Sequence, residues 1–322
     1  MSEQLGRVLL IVNPTAQNGR AGQAAQTAAE ALRAALGESS VEVRETQRPR
    51  HATAIASEAD GFDTVVALGG DGIIHEAVNG LMRRPESERP VFGIVPVGSG
   101  NDYAATLGMS KNVSKAVDQL LAADVRFVDV GCCNGEHYVE TVSFGLDAAI
   151  AIDTMERRRR TGRTGTMLYF AAGLDQMLHH LTCRPYKMTL ADGRCLSGES
   201  YIFAVQNGQT YGGGFKVCPR ARIDDGVLDI CIAHPPLNPL GATGIFMLAK
   251  EGFHTGFKQL EFVRTKSLHL EFEEPLPAQI DGEILRGTSF NINVKQAALR
   301  VLAPSGHSFE GQLGGGYVRV GE

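Results

Sequence analysis

The sequence predicts an α/β domain with a parallel sheet, followed by a β-rich domain with antiparallel, sandwich-like sheets. Short apolar runs alternate with helical patterns over residues 1–131, which is typical of a parallel sheet. Residues 132–322 instead contain many strand-like runs separated by Ser, Gly and Asp clusters, a pattern that favours antiparallel strands. A length of 322 residues also favours two domains.

The first domain is predicted from four apolar strands and the helices between them. The strands are Val8–Val12, Val41–Arg44, Thr64–Leu68 and Val91–Val95, and the helices are Ala21–Leu36, Ala52–Ala59 and Ile73–Met82. Ligands of parallel sheets bind at the carboxyl ends of the strands, where the glycine-rich turns lie. Here those turns are Gly69–Gly72 after the third strand and Pro96–Asp102 after the fourth.

The second domain is predicted from seven strands and one helix. The helix is Gly165–Leu178, and the strands are Tyr138–Ser143, Tyr186–Leu190, Tyr201–Gln206, Leu228–Ala233, Ser267–Phe272, Phe290–Val294 and Leu299–Leu302. The tail, residues 311–322, is glycine-rich, and it is expected either to move freely or to return to the first domain.

Composition excludes several classes of protein. A net charge of −5 disfavours a general nucleic-acid binder, which needs a basic face. The six cysteines form no C-x-x-C pair, so reduced thiols in a cytoplasmic protein are expected, not a disulfide framework or a zinc site. We find neither a signal-peptide pattern nor an apolar run of about 18 residues, so contact with a membrane is expected from outside only.

The turn Gly69–Gly72 is the strongest chemical signal in the sequence. Glycines let backbone N–H groups approach an anion, and the helix that follows directs its positive end the same way. Asp71 would repel a phosphate unless Mg²⁺ lay between them, so the turn predicts a nucleotide bound with Mg²⁺. A plain strand-to-helix turn is the alternative. No Gly-Lys dipeptide exists, which excludes a Walker A loop, and no lysine precedes Lys111.

Several segments resemble the diacylglycerol kinase catalytic family, which includes bacterial lipid kinases and is related to sphingosine and ceramide kinases. The matching segments are Gly69–Gly80, Pro96–Asp102, Gln206–Pro219, Ile223–Asp229 and Gln279–Glu283. The resemblance opens at Asn13-Pro14 and continues to Pro304. NAD kinases and phosphofructokinases carry similar GGDG loops, but the PVGSGND and YGGGF segments are similar to lipid kinases.

The resemblance implies an ATP site in a cleft between the two domains. The implied nucleotide-binding residues are Asn13, Pro14, Thr46, Gly69, Gly70, Asp71, Gly72, Ile73, Ile74, His75, Gly98, Ser99, Gly100, Asn101 and Asp102. The family usually has threonine at the positions of Ile73 and Ser99. Ser99 keeps a hydroxyl group at its position. Ile73 has none, so the contact that a threonine hydroxyl would make there with a phosphate or a helix cap is in doubt.

The resemblance offers two candidates for the general base. Glu283, in Asp281-Gly282-Glu283, matches the glutamate proposed as the base in bacterial members, and a carboxylate can take the proton of a lipid hydroxyl. Asp71 is the alternative, because sphingosine-kinase-like members are thought to use the aspartate of the glycine loop. Without the resemblance, Asp281-Gly282 would indicate only a hairpin turn.

A second Mg²⁺ site is implied at Asp225. Similar bacterial kinases bind a structural Mg²⁺ through this aspartate and two backbone carbonyls, which by position belong to Arg222 and Val227. One carboxylate with carbonyls and water is enough for Mg²⁺. An Asp-Gly turn between strands is the alternative explanation.

Five arginines lie within seven residues, at Arg157–Arg160 and Arg163. A solvated loop is the usual explanation of such a charge run. Attraction to anionic lipid headgroups, beside the apolar helix Gly165–Leu178, is the alternative.

These observations together predict an ATP-dependent lipid kinase that phosphorylates diacylglycerol to phosphatidic acid. Peripheral contact with a membrane surface is expected, and nucleic acid is not expected as a partner. A kinase for sphingoid bases or ceramide, an NAD-kinase-like enzyme with a soluble acceptor, and a lipid-binding protein without turnover are the alternatives. A homodimer is an expectation from the family alone.

Overall fold

The computed structural model describes residues 5–14, 16–163 and 165–310, which form two compact units. The first unit contains residues 5–130 and Ala297–Phe309, and the second contains Gly131–Gln296 and Glu310. Residues 297–309 are predicted in the second domain, but the structure groups them with the first unit, where Val301 pairs in parallel with Phe92. The predicted return of the tail 311–322 lies outside the described residues.

The first unit is an α/β domain with a parallel sheet, as predicted. Its strands lie in the order β2-β1-β3-β4, and all three neighbouring pairs are parallel. The elements are β1 (Val8–Val12), α1 (Arg20–Leu36), β2 (Val41–Glu45), α2 (His51–Ser57), β3 (Thr64–Gly69), α3 (Asp71–Leu81), β4 (Val91–Pro96), α4 (Asp102–Thr106) and α5 (Val113–Leu121).

Helix α1 shows how local sequence builds this unit. Its small and apolar residues Ala21, Ala25, Ala28 and Leu32 recur at helical spacing and are buried. The helix ends at Gly37, which has a φ of 97° and whose N–H bonds to the Arg33 carbonyl at 2.8 Å. The short helices α4 and α5 were not expected from the sequence pattern.

Over its described residues, the second unit is an antiparallel β-sandwich with three helices. Its elements, with the two long strands that run between the units, are β5 (Ala123–Cys133), β6 (Glu136–Tyr138), β7 (Thr141–Gly145), α6 (Leu146–Thr161), α7 (Thr166–His179), β8 (Arg184–Leu190), β9 (Cys195–Ser200), β10 (Ile202–Gln206), β11 (Leu228–Ala233), α8 (Pro239–Ala249), β12 (Leu260–Thr265), β13 (Ser267–Phe272), β14 (Ala278–Ile280), β15 (Glu283–Leu285) and β16 (Ser289–Pro304).

Two antiparallel sheets of the second unit pack face to face. One contains β16, β13, β8 and β9, and the other has the order β12-β11-β10-β7-β14-β15. Aromatic side chains from both sheets meet between them, with the rings of Phe144 and Phe290 4.6 Å apart and those of Tyr186 and Phe203 5.2 Å apart. This core confirms the predicted β-rich sandwich.

Helices α6 and α8 of this unit are not predicted from the sequence pattern. The prediction of a solvated loop at Arg157–Arg160 is wrong, because these residues form the last turns of α6. The apolar face of α6, with Leu146 and Ile150, is short and its charged end dominates the pattern. Helix α8 is apolar on all sides and therefore lacks a helical period. None of the helices in the described ranges is both long and apolar enough to cross a membrane.

Candidate active site

The carboxyl ends of the parallel strands gather the predicted nucleotide-binding residues at one edge of the sheet. Val12 of β1 pairs with Glu45 and Leu68, and Leu68 pairs with Val95, so the four strands end at the same level. The segments that follow are joined by backbone hydrogen bonds. The N–H of Thr46 donates to the Val12 carbonyl at 2.8 Å, and that of Val97 donates to the Gly69 carbonyl at 2.7 Å. Asn13 and Pro14, which follow β1 directly, lie at this edge as well.

The two glycine loops touch through their backbones. A Cβ atom at Gly98 would lie 2.6 Å from Asn101 Oδ1 and closer still to the Cα of Gly70. A Cβ at Gly70 would in turn lie 3.0 Å from the Cα of Gly98. Neither position accepts a side chain without movement of the other loop, so glycine is required here by close approach of the backbones.

Asp71, the first residue of α3, holds the second glycine loop in place. Its Oδ2 accepts the N–H of Asn101 and its Oδ1 accepts the N–H of Asp102, both at 2.9 Å. Asn101 has a φ of 59°, a left-handed conformation that asparagine tolerates well. Its side chain accepts the N–H of Gly98 at 2.7 Å and donates to the Gly98 carbonyl at 2.8 Å. The loop is therefore folded around its own asparagine and fixed to Asp71.

Two carboxylates converge beside Gly100. A Cβ atom at Gly100 would lie 2.6 Å from Asp71 Oδ2 and 3.3 Å from Asp102 Oδ2. Two carboxylate oxygens close together are a donor set that suits Mg²⁺, which prefers hard oxygen ligands. The residues present therefore fit a magnesium ion carried by a nucleotide.

Three residues of the predicted phosphate site, Ile73, Ile74 and His75, leave only backbone groups for a phosphate. The side chains of Ile73, Ile74 and His75 are buried in the core face of α3. A methyl group of Ile73 lies under Gly69, where a Cβ atom would approach it to 2.7 Å. The isoleucine that replaces the usual threonine is thus a packing residue. Any contact of Ile73 with phosphate would run through its N–H group.

Glu76 is a positioning residue that the sequence analysis does not identify. Its carboxylate accepts the backbone N–H groups of Arg50 at 2.8 Å and Ala52 at 3.0 Å. These bonds fix the beginning of α2 against α3. The local sequence around Glu76 does not predict this role, because its hydrogen-bond partners are more than twenty residues away in the chain.

In the second unit, Asp281 anchors the turn that presents Glu283. The carboxylate of Asp281 accepts the N–H groups of Val139, Glu140 and Thr141 at 2.8, 3.0 and 3.0 Å. Glu283 begins β15 and is exposed. Within the described parts of the chain, no hydrogen bond or ion pair engages the Glu283 carboxylate. Of the two acids in this turn, Asp281 is structural and Glu283 is available to a substrate.

An apolar pocket lies within the second unit. Its empty space of about 630 Å³ includes a part that is open to solvent. The inner faces of α6, α7 and α8 line it together with β10, β11 and the segment around Phe215. Aromatic and aliphatic side chains dominate the lining, among them Ile150, Tyr169, Met177, Phe215, Ile245 and Phe246.

One end of this pocket is polar. Asp147 lines it, and burial raises the pKa of this carboxyl although Ser143, Tyr211 and Tyr169 hydrogen-bond to it. The Ser143 hydroxyl also accepts the side-chain amide of Gln279 at 2.7 Å. The Gln279 carbonyl oxygen accepts the N–H of Gly282, also at 2.7 Å. Buried hydrogen bonds therefore connect the polar end of the pocket to the turn that carries Glu283.

Asp147, Ser143 and Gln279 are not identified by the sequence analysis. Asp147 and Ser143 are isolated polar residues within apolar runs, without a motif of their own. A polar side chain in a run that is otherwise buried is the signal that could have found them, because such a group needs a partner or a function. Gln279 begins the matching segment Gln279–Glu283, in which only the glutamate was singled out.

At the predicted second Mg²⁺ site, an arginine side chain pairs with the carboxylate that would bind the metal. The guanidinium of Arg264 contacts the Asp225 carboxylate and lies 3.4 Å from Asp229, and the N–H of Val227 donates to Asp225 at 3.2 Å. The side chain of Arg222 bonds to Asp224 at 3.0 Å. The described segments hold no cluster of three or more His, Cys, Asp or Glu side chains arranged for a metal. A metal at Arg222, Asp225 and Val227 stays a prediction.

Comparison with known proteins matches both units. Residues 7–133 match the diacylglycerol kinase catalytic domain, and residues 140–303 match the YegS C-terminal NAD kinase beta sandwich-like domain. A protein from Pseudomonas aeruginosa strain UCBPP-PA14, named probable lipid kinase YegS-like, is 31% identical over 82% of this chain and 85% of its own length. A diacylglycerol kinase from Mycobacterium tuberculosis strain CDC 1551 / Oshkosh is 29% identical, with coverage of 94% and 96%.

A solved structure shows the same fold. The crystal structure of a diacylglycerol kinase from Bacillus anthracis strain Sterne matches 93% of this chain and 97% of its own, with a TM-score of 0.71 and 25% identity. These matches confirm the family resemblance that the motifs indicate. The chain is a kinase, and it belongs to the diacylglycerol kinase family.

Proposed function

We propose that this kinase transfers the γ-phosphoryl group of ATP to the free hydroxyl of diacylglycerol and forms phosphatidic acid. The observation that carries the proposal is the apolar pocket of the second unit, with its polar end joined to the turn of Glu283. A soluble acceptor such as NAD would need a polar pocket. An acyl chain instead suits a lining of aromatic and aliphatic groups.

The first unit supplies the nucleotide side of the reaction. Backbone N–H groups of the glycine loops, at the beginning of α3, would donate to phosphate oxygens, since no lysine precedes Lys111. Asp71 and Asp102 would hold Mg²⁺, which when bound supplies positive charge to the transferred phosphoryl group. Asp71 also fixes Asn101 and Asp102, so it keeps both loops in the arrangement that the phosphates require.

The second unit supplies the acceptor side. The acyl chain would occupy the pocket, and the polar part of the lipid would meet Asp147, whose carboxyl pKa is raised by burial. Glu283 would accept the hydroxyl proton as the lipid oxygen bonds to the γ-phosphorus. The bond to the bridging oxygen then breaks, and ADP leaves with its electron pair.

The geometry favours Glu283 over Asp71 as the base. Both oxygens of Asp71 already accept backbone N–H groups at 2.9 Å, whereas Glu283 is exposed. A general base must reach the proton that it removes, and a carboxylate committed to holding a loop is less able to do so.

A lipid panel in mixed micelles tests the function. Diacylglycerol, sphingosine and ceramide are offered with radiolabelled ATP, and NAD is offered separately as the soluble acceptor. The expected product is phosphatidic acid from diacylglycerol, with Mg²⁺ required. Phosphorylation of NAD in preference to every lipid would overturn the assignment, and so would wild-type turnover by an Asp71→Ala variant.

Three further expectations stay predictions. They are peripheral contact with a membrane surface, a cytoplasmic location and a homodimer. Gel filtration with light scattering on the purified chain measures the oligomeric state.

A further inference from the structure

Most of the exposed large hydrophobic side chains lie on two neighbouring helices and the turn after them. Across residues 5–14, 16–163 and 165–310, nine such side chains are exposed, and seven belong to this region. We call these seven the α7–α8 apolar surface. They are Met167, Leu178, Leu240, Met247, Leu248, Phe253 and Phe257. Contiguous apolar surface on a protein marks an interaction site.

Helix α8 lacks the polar face that a solvent-exposed helix needs. Its sequence, PLGATGIFMLA, contains no charged residue and one polar side chain, Thr243. Ile245 and Phe246 face inward and line the pocket, whereas Leu240, on the opposite side, is 80% exposed. A helix that is apolar on all sides is normally covered on all sides. The outer side of α8 therefore needs an apolar environment.

Helix α7 continues this surface. It packs on α8 through Phe170 and Phe246, whose rings are 5.9 Å apart. Met167 and Leu178 lie eleven residues apart, which places them on one stripe of the helix, and both are exposed. Tyr169 and Met177 of the same helix line the pocket. Each helix thus has one side in the apolar pocket and the other side exposed and apolar.

The basic end of α6 lies next to this pair of helices. Arg157 is bonded to Asp175 of α7, which fixes the two helices together there. Arg158, Arg159 and Arg160 follow it in the last turn of α6, and all three are exposed. Exposed arginines beside exposed apolar side chains match a bilayer with anionic headgroups, because the apolar groups enter the interface while the cations stay at headgroup level.

We propose that the α7–α8 apolar surface docks onto an anionic lipid bilayer, with Arg158–Arg160 at the headgroups. The proposal rests on the proposed function for its substrate, since a lipid acceptor would come from the same bilayer. The helices that contact the bilayer also form the pocket, so a lipid would pass from one apolar environment into another. A second copy of this chain is the competing occupant of the surface.

Vesicle sedimentation without ATP tests the docking alone. The full-length wild type is expected to bind phosphatidylcholine vesicles that contain phosphatidylglycerol. A Leu240→Glu/Phe253→Glu variant is expected to bind on the order of a hundredfold more weakly, because two apolar groups no longer enter the bilayer. Replacement of Arg158–Arg160 by glutamine should weaken binding by about fivefold for each arginine. Phe127→Glu, which changes an exposed phenylalanine in the first unit, is the matched control and should bind as the wild type does.

The outcomes separate docking from the kinase function. Wild-type binding by the Leu240→Glu/Phe253→Glu variant overturns the proposal. A wild-type dimer that this variant dissociates overturns it as well, because the surface is then an interface between copies. Phosphorylation of dissolved dihexanoylglycerol should be unaffected by the substitutions. If that lipid is phosphorylated but no vesicle is bound, docking fails and the proposed function stands. If the wild type binds vesicles but phosphorylates no lipid, the docking proposal stands and the proposed function fails.

Discussion

The carboxylate of Asp71 accepts the backbone N–H of Asp102 at 2.9 Å, and its second oxygen accepts the N–H of Asn101. One acid at the beginning of α3 thus satisfies two amides of the neighbouring loop. Asp71 combines a structural role with a proposed role toward Mg²⁺, and substitution can separate the two. In an Asp71→Asn variant, the amide group would face one of these N–H donors, so a hydrogen bond is lost.

We expect Asp71→Asn to lose about 1–3 kcal/mol of unfolding free energy and at least about a hundredfold in kcat. Glu76→Gln is the matched control, because Glu76 also holds two backbone N–H groups in the same unit but has no proposed contact with the nucleotide. Denaturant unfolding and steady-state kinetics measure both effects. An equal loss of activity in the two variants would mean that Asp71 acts only through the fold.

The contact between Gly70 and Gly98 predicts a second result. In Gly98→Ala, the new methyl group meets the Gly70 backbone and Asn101, so the loops must separate. We expect a loss of about 1–3 kcal/mol in stability and at least a tenfold weaker binding of ATP. Gly72→Ala is the control for stability, because nothing lies within 4 Å of its Cβ and alanine favours a helix. An unchanged melting temperature for Gly98→Ala would contradict the close approach.

Glu283 is expected to act in chemistry and not in nucleotide binding. Glu283→Gln should lower kcat by about 10²–10⁴-fold with an unchanged Kd for ATP, because glutamine keeps the shape and cannot accept the proton. Glu273→Gln, at another exposed glutamate of the same unit, should leave both constants unchanged. A small effect of Glu283→Gln beside a large one of Asp71→Asn would transfer the role of base to Asp71.

The apolar pocket predicts discrimination by acyl length. Ala242 is buried and lines the pocket, so Ala242→Phe fills part of the pocket. The KM for dioleoylglycerol should rise at least tenfold, while the KM for ATP stays constant and dihexanoylglycerol is affected less. Ser197→Phe adds bulk at an exposed position of β9, outside both the pocket and the α7–α8 apolar surface, and serves as the control. Ala249→Leu, a smaller change in the same pocket, keeps the test available if Ala242→Phe folds poorly.

The sequence predicts the parts of this fold that depend on local patterns. Strands β1, β3 and β4 are continuous apolar runs, and the carboxyl ends of β3 and β4 carry the glycine loops, so the nucleotide edge can be located from the sequence. Helix α8 cannot be predicted in the same way, because a helix that is apolar on all sides has no period. The helical state of Arg157–Arg160 depends on the buried face of α6, several residues earlier in the chain.

Some residues of the candidate site can be predicted from local sequence, and others cannot. Asp71 and Glu283 belong to short motifs, and their neighbours in sequence mark them. Ser143 and Gln279 are brought together by the pairing of β7 with β14, where they lie opposite each other, and Asp147 of α6 hydrogen-bonds to Ser143. Strand register depends on the whole sheet, so no local pattern could have joined Gln279 to the other two residues.

Asp229 predicts how stability depends on pH. Burial raises the pKa of this carboxyl to about 6, a rise that Asp225 increases and Arg264 opposes. An unfolded aspartate has a pKa of about 3.9, so the folded protein binds this proton more tightly than the unfolded chain does. The contribution to stability is therefore complete below about pH 4 and is lost as the pH rises to about 6.

An Asp229→Asn variant removes this titration. Relative to the variant, the wild type should lose on the order of 3 kcal/mol of unfolding free energy between about pH 4 and pH 6, with little further change at higher pH. Urea unfolding at a series of pH values measures the difference. A difference that stays constant across this range would show that Asp229 is ionised in the folded protein at acidic pH, with the Arg264 guanidinium outweighing the effect of burial.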